Sequence, residues 1–318
     1  MFDQMKIFGA SASHELARDI CEYLGETTGR ALIGKFPDSE TRIRIEEDIR
    51  GADVYIVQST SPPVNDNLME LLVLIDSARR ASAERVTAVI PYYGYGRQDR
   101  KDEGRVPITA KLVANLIEKA GAHRVLSIDM HATQIQGFFD VPVDHLYAFP
   151  VFLKYYRQLN LERLAVSSTD VGRVRMARAY ANALDADLVI IDKRRPDPES
   201  AQVASVIGSP RDKDILIVDD MISTAGSICE AARVLKDAGA RDIYMGATHP
   251  ILCGPSIERI DAVAPKEVVV TDTIPLRGKQ GRSPIRVLSV APLLAEAIVR
   301  IHEHRSVSAM FSNLPEER

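Results

Sequence analysis

The sequence predicts an α/β protein built as two similar doubly wound domains with mainly parallel sheets, and two observations carry that expectation. Short β-branched runs alternate with amphipathic segments along nearly the whole chain, and the rhythm is broken once, near His145–Pro150, before starting again at Leu164. In order, the strand candidates are Asp53–Gln58, Arg85–Ile90, Arg124–Asp129, Leu164–Ser167, Asp187–Asp192, Asp214–Asp219 and Glu267–Thr271. Runs such as Val-Val-Val or Ile-Leu-Ile-Val read as strands buried on both faces, as parallel strands are. Between them, Leu68, Leu71, Leu72 and Ile75 recur at helical spacing, as do Ala177, Tyr180, Ala181 and Leu184, so the connections are expected to be crossover helices. A last helix is expected from Pro292 to the His302-Glu-His304 end. The expected domains are 1–146 and 147–318, with the tail 304–318 packing back on the first.

A faint internal echo fits the duplication. Ser127-Ile-Asp-Met-His-Ala-Thr133 lies over Val218-Asp-Asp-Met-Ile-Ser-Thr224 with Asp129/Asp220, Met130/Met221 and Thr133/Thr224 coinciding. Both segments put carboxylates at the carboxyl end of an apolar strand, where open α/β sheets bind ligands.

Composition excludes several classes. Over 318 residues the net charge is −4, which gives no diffuse attraction for nucleic acid or an anionic membrane. The longest unbroken apolar run, Leu71–Ile75, is far shorter than the ~20 residues a bilayer requires. A cytoplasmic protein is expected. Cys21, Cys229 and Cys253 are odd in number and contain no C-x-x-C, which suits reduced, packed thiols. Gly34-Lys35 and Gly278-Lys279 lack a following Ser or Thr, and Gly94-Tyr-Gly96 lacks a third glycine, so P-loop and dinucleotide signatures are absent.

The most informative stretch is Asp214-Ile-Leu-Ile-Val-Asp-Asp-Met-Ile-Ser-Thr-Ala-Gly-Ser-Ile228. An apolar strand runs into Asp219 and Asp220, then into the small-residue turn Ser223, Thr224, Ala225, Gly226 and Ser227, then into a helix. Such a turn offers backbone N–H groups and hydroxyls at a helix N-terminus to a terminal phosphate. Paired acids just upstream can accept bonds from two vicinal hydroxyls. Together they suit a ribose 5-phosphate group.

These residues resemble the phosphoribosyl-diphosphate loop of type I phosphoribosyltransferase folds, and further segments narrow the resemblance. Phe36-Pro-Asp-Ser-Glu40, Tyr95-Gly-Arg-Gln-Asp-Arg-Lys101, Asp129-Met-His-Ala-Thr-Gln-Ile-Gln-Gly-Phe-Phe139, Asp192-Lys-Arg-Arg-Pro196 and Ser306-Val-Ser-Ala-Met-Phe311 are similar to segments of the ribose-phosphate diphosphokinases (PRPP synthetases), in the same order. The resemblance implies transfer of the β,γ-diphosphate of MgATP to the C1 hydroxyl of ribose 5-phosphate. It implies Lys193 and Arg195 as catalytic residues on a loop closing over the transferring phosphates, with Arg195 also touching ribose 5-phosphate. It further implies ATP-binding Phe36, Asp38, Ser39, Glu40, Arg97, Gln98 and His131, and His131 and Asp170 as ligands of Mg2+. Asp129 and Asp220 would support metal or ribose. The loop 36–40 is expected to serve a neighbouring subunit, in a homohexamer built from dimers.

The chain also departs from the family's pattern. Ser39 and Arg173 stand where glycines are usual, Ser223 replaces an acid, Ser227 a threonine, and Asp48 a serine of the phosphate/ADP regulatory site, whose other matches are Arg50, Ser306, Ser308 and Phe311. Phosphate activation and ADP inhibition therefore stay open. Two other readings share parts of the pattern: a catalytically silent relative, against which Lys193, Arg195, His131 and Asp170 count, and a phosphoribosyltransferase using PRPP, which leaves Arg97, Gln98 and Lys193 unexplained. His302-Glu-His304 is read as a solvated or subunit-facing helix end, and Arg100–Arg105 as a mixed-charge loop.

Overall fold

Each β-branched run forms a strand, and the order in which the strands pair creates the two halves of the molecule. The computed structural model describes residues 4–194, 203–279 and 281–312. These divide into two compact units. One comprises residues 4–148, Thr273–Pro275 and Val290–Ser312; the other comprises the described residues of Phe149–Asp272 and Leu276–Ser289. No single cut separates them, because the chain returns twice to the first unit after entering the second.

In the first unit the elements are β1 (Met5–Gly9), α1 (His14–Leu24), β2 (Ala31–Lys35), β3 (Thr41–Ile45), β4 (Asp53–Val57), α2 (Val64–Arg80), β5 (Arg85–Ile90), α3 (Thr109–Ala120), β6 (Arg124–Ile128) and β7 (Val143–Leu146). Five of the strands form a wholly parallel sheet in the order β1-β4-β5-β6-β7, and β2 and β3 make a separate antiparallel hairpin. Val54, Ile56, Val86, Ala88 and Val125 meet Leu71, Leu74 and Ile75 of α2 and Val113 and Ile117 of α3 in one buried core. Removing such side chains from water stabilises the fold by about 1.5–3 kcal/mol each.

The second unit runs α4 (Phe149–Gln158), β8 (Leu164–Ser168), α5 (Val174–Leu184), β9 (Asp187–Arg194), β10 (Val203–Ile207), β11 (Asp214–Ile222), α6 (Gly226–Asp237), β12 (Ile243–Pro250), α7 (Ser256–Val263), β13 (Glu267–Thr271) and β14 (Ile285–Leu288). Its sheet has the order β10-β9-β8-β11-β12-β13-β14, parallel except for β10 against β9. From β8 the chain winds outward through β9 on one side, while β11 lies on the other. The crevice outside the carboxyl ends of β8 and β11 is therefore a topological switch point, the ligand position of open α/β sheets.

The final helix, α8 (Ala291–His302), belongs to the first unit and lies against α1. Its attachment is polar as well as apolar. The fully buried Asp53 accepts bonds from Arg85 Nε at 2.7 Å, Tyr55 OH at 2.8 Å and His302 Nδ1 at 2.8 Å, while Arg85 Nη2 also donates to the Ile301 carbonyl. His302 thus corrects the expectation of a solvated or subunit-facing helix end: a buried carboxylate needs partners, and this imidazole is one. Thr273 joins the same unit through its carbonyl, which accepts a bond from Ser59 Oγ. Among the described residues no helix is long and apolar enough to cross a membrane.

Candidate functional site

The second unit carries the acid pair and the small-residue turn that the sequence singles out. β11 continues through Ile222, beyond the expected end at Asp219, so Asp219 and Asp220 both lie inside the strand, and the turn is confined to Ser223, Thr224 and Ala225. Ala225 takes a left-handed conformation (φ 59°) that turns the chain into α6, whose first residues are Gly226 and Ser227. No side chain caps that N-terminus, leaving its N–H groups and dipole directed at whatever lies in front. Thr224 and Ser227 are exposed there. The turn is held from behind: Arg259 Nη1 donates to the Thr224 carbonyl at 2.9 Å, Cys253 N–H donates to the Ser223 carbonyl at 3.0 Å, and Ser223 Oγ lies 3.4 Å from Cys253 Sγ.

Asp219 Oδ2 accepts a bond from Thr169 Oγ1 at 2.8 Å and Oδ1 accepts one from the Asp220 N–H at 2.8 Å. Burial, reinforced by the neighbouring Asp220, pushes the Asp219 carboxyl up to about 8. Arg173 crosses the pair and opposes that shift, its Nη2 lying 2.9 Å from Asp220 Oδ2 and its Nε 3.6 Å from Asp219 Oδ1. Asp170, exposed just after β8, receives the Arg173 N–H at Oδ1.

β9 extends two residues beyond the expected end at Asp192, and Lys193 pairs through its backbone with Ala204 of β10. Lys193 therefore stands in a strand, not in the loop expected for it, because an antiparallel partner is available. Arg195 lies outside the described residues.

In the first unit the loop Pro91–Gly96 leaves β5 beside the end of β6. A Cβ placed on Gly96 would stand 3.6 Å from His131 Cβ, so this loop and the half-buried His131 are neighbours. Arg97 and Gln98 follow, both exposed, with Gln98 Oε1 accepting from Thr109 Oγ1 at 2.5 Å. Asp129 points its carboxylate back into the fold, accepting the Ala148 N–H at 3.2 Å. The β2–β3 hairpin carries Phe36, Asp38, Ser39 and Glu40 at its exposed tip, with the Arg42 guanidinium 5.4 Å from the centre of the Phe36 ring. Ser39 has φ 75°, a left-handed conformation that costs a residue with a Cβ more than glycine. Asp48 accepts the Arg50 N–H at 3.0 Å while the Arg50 guanidinium turns to Ser82. Ser306 and Ser308 hydroxyls are 2.9 Å apart, and Phe311 stands edge-on to Tyr147.

Among the described residues no group of three or more His, Cys, Asp or Glu side chains is arranged to hold a metal ion. Sequence reasoning assigned no role to Thr169, Cys253 or Arg259, and noted Arg173 only as a substitution. Their partners come from neighbouring strands and helices, for which the chain carries no local signal.

Comparison with known proteins reproduces the whole chain rather than one motif. A family profile described as the N-terminal domain of ribose phosphate pyrophosphokinase matches residues 5–121, and one described as a phosphoribosyl synthetase-associated domain matches 197–312. The ribose-phosphate pyrophosphokinase of Rhodopirellula baltica is 53% identical over 311 residues, covering 97% of this chain and 98% of that protein. The chain belongs to the ribose-phosphate pyrophosphokinase family. The Bacillus subtilis member is 50% identical over 308 residues, 97% of each chain. The crystal structure of phosphoribosylpyrophosphate synthetase from Mycobacterium smegmatis superposes with a TM-score of 0.90 at 38% identity, covering 95% of this chain and all of that one.

Proposed function

We propose that this pyrophosphokinase transfers the β,γ-diphosphate of ATP to the C1 hydroxyl of ribose 5-phosphate, releasing AMP. The observation that carries the reading on this chain is the acid pair of β11 leading through a left-handed turn into the uncapped N-terminus of α6, at the sheet's switch point. A 5-phosphate accepts bonds from the N–H groups at Gly226 and Ser227 and from the hydroxyls of Thr224, Ser227 and Ser223. With the phosphate so fixed, Asp219 and Asp220 accept bonds from the ribose hydroxyls, and C1 is left presented for attack.

In the transfer, the C1 oxygen forms a bond to the β-phosphorus as the bond from that phosphorus to the α,β-bridging oxygen breaks. AMP leaves with the electron pair, and the hydroxyl proton is lost. Such a reaction asks for alignment and charge neutralisation more than for covalent chemistry. Lys193 and Arg195 are assigned that neutralisation. Arg97, Gln98 and His131 are assigned to the nucleotide, and Phe36, Asp38, Ser39 and Glu40 to the base of an ATP bound by a neighbouring copy in a homohexamer. Asp170 offers magnesium the hard carboxylate oxygen it prefers, and His131 a nitrogen, which suits it less well than the phosphate oxygens of ATP. When bound, magnesium would supply charge compensation on those oxygens. The enzyme is assigned to the cytoplasm.

Incubation with MgATP and ribose 5-phosphate, with AMP and PRPP quantified separately, tests the proposal. Equimolar AMP and PRPP are expected. No AMP would identify a silent relative, and AMP without PRPP a hydrolase; either result overturns the reading.

A further inference from the structure

In the sequence Arg173 is only a departure from a glycine-rich pattern; in the fold its side chain is the cation lying across the acid pair. β8 and β11 pair in parallel with Ser168 opposite Val218, so the short turn Val171–Arg173 that leaves β8 is delivered beside Asp219 and Asp220. The guanidinium reaches Asp220 at 2.9 Å and Asp219 at 3.6 Å, and the two acid side chains are only 4% and 15% exposed. Its own backbone is fixed, with the N–H on Asp170 and the residue seated at the entry to α5.

Two adjacent carboxylates this deep repel each other with little water to screen them. An unopposed pair relieves the crowding by turning one acid away, which removes an acceptor of hydroxyl bonds. A guanidinium opposes that turning, since it keeps its charge and its planar fork lies against both acids.

We infer that Arg173 is a specificity-determining positioning residue, whose guanidinium holds Asp219 and Asp220 as oriented acceptors for a vicinal diol. It thereby governs discrimination between a pentose 5-phosphate carrying both the 2- and 3-hydroxyls and one lacking the 2-hydroxyl. This rests on the assignment of β11 and its turn to the sugar phosphate. An acceptor held in place is worth about tenfold in affinity to the hydroxyl that bonds it.

Isothermal titration with ribose 5-phosphate and with 2-deoxyribose 5-phosphate tests it, on the unaltered protein and on Arg173→Gly, Arg173→Gln and Arg173→Lys, each first verified as folded by circular dichroism. The unaltered protein is expected to favour ribose 5-phosphate. Arg173→Gly and Arg173→Gln should lose about tenfold of that preference, and Arg173→Lys, which keeps the charge but not the fork, should retain part of it. A merely structural role would weaken both sugars alike. An unchanged preference in Arg173→Gly and Arg173→Gln, or one that grows, overturns the inference and leaves the sugar site standing. An unaltered protein that binds both sugars equally, or neither, overturns the sugar-site assignment itself.

Discussion

Replacing Asp53 by Ala should destabilise the first unit far more than an ordinary surface substitution, and the structure supplies the magnitude. The carboxylate is fully buried and accepts bonds from Arg85 Nε and Nη2, Tyr55 OH and His302 Nδ1 at 2.5 to 2.8 Å. Its removal takes away the carboxylate paired with the Arg85 guanidinium, which is only 14% exposed. Breaking a buried pair from one side costs about 3–5 kcal/mol, a large part of the ~5–15 kcal/mol total of a typical domain. Because Arg85 also holds the Ile301 carbonyl and Tyr55 the Ile298 carbonyl, the loss should concentrate at α8. Urea unfolding followed by far-UV circular dichroism measures the total, and hydrogen exchange of residues 291–302 measures its location; the chain has no tryptophan to report by fluorescence. Adding Arg85→Met to Asp53→Ala should recover much of the stability, since replacing both partners by apolar groups removes the stranded charge. A loss below about 1 kcal/mol, the value of an exposed pair, or protection of α8 that does not change, would refute the argument.

Other outcomes follow from the same geometry. The Asp219 carboxyl rises from 3.8 to about 8 in the folded chain. The stability this contributes is therefore complete below 3.8 and is lost as pH rises through about 8, and a thermal-melting series across that range should be flatter in Asp219→Asn. Gly94→Ala would put a Cβ 2.3 Å from the Thr60 carbonyl oxygen; displacement of the loop before Arg97 should cost about 1–3 kcal/mol in unfolding free energy and raise the KM for ATP in steady-state assays. Lys193→Ala and Arg195→Ala should each lower kcat by about two to three orders of magnitude with little change in KM, and a near-normal kcat in Arg195→Ala would remove that residue from the mechanism. Asp48→Ser should strengthen activation by phosphate in a rate titration, because a carboxylate repels an anion that a hydroxyl can bond.

Much of this molecule is legible along the chain. Val-Val-Val in β13 and Ile-Leu-Ile-Val in β11 declare buried parallel strands, and Asp219 through Ser227 declare a strand that gives way to a turn and a helix N-terminus, because strand propensity, turn chemistry and the exposed end of a helix are properties of consecutive residues. β12 is not legible in that way: Ile243-Tyr-Met-Gly-Ala-Thr-His-Pro250 has small and polar residues breaking its apolar run, yet every one of its residues is buried, since it lies between β11 and β13. The pairing of Arg173 with Asp219 and Asp220, and of His302 with Asp53, joins residues 46 to 249 positions apart by strand order and by the return of α8. Charges have no periodicity that names their partners. Which acid meets which base is decided by the register of neighbouring strands and by how deeply the fold buries each group, so these contacts exist only in the tertiary structure.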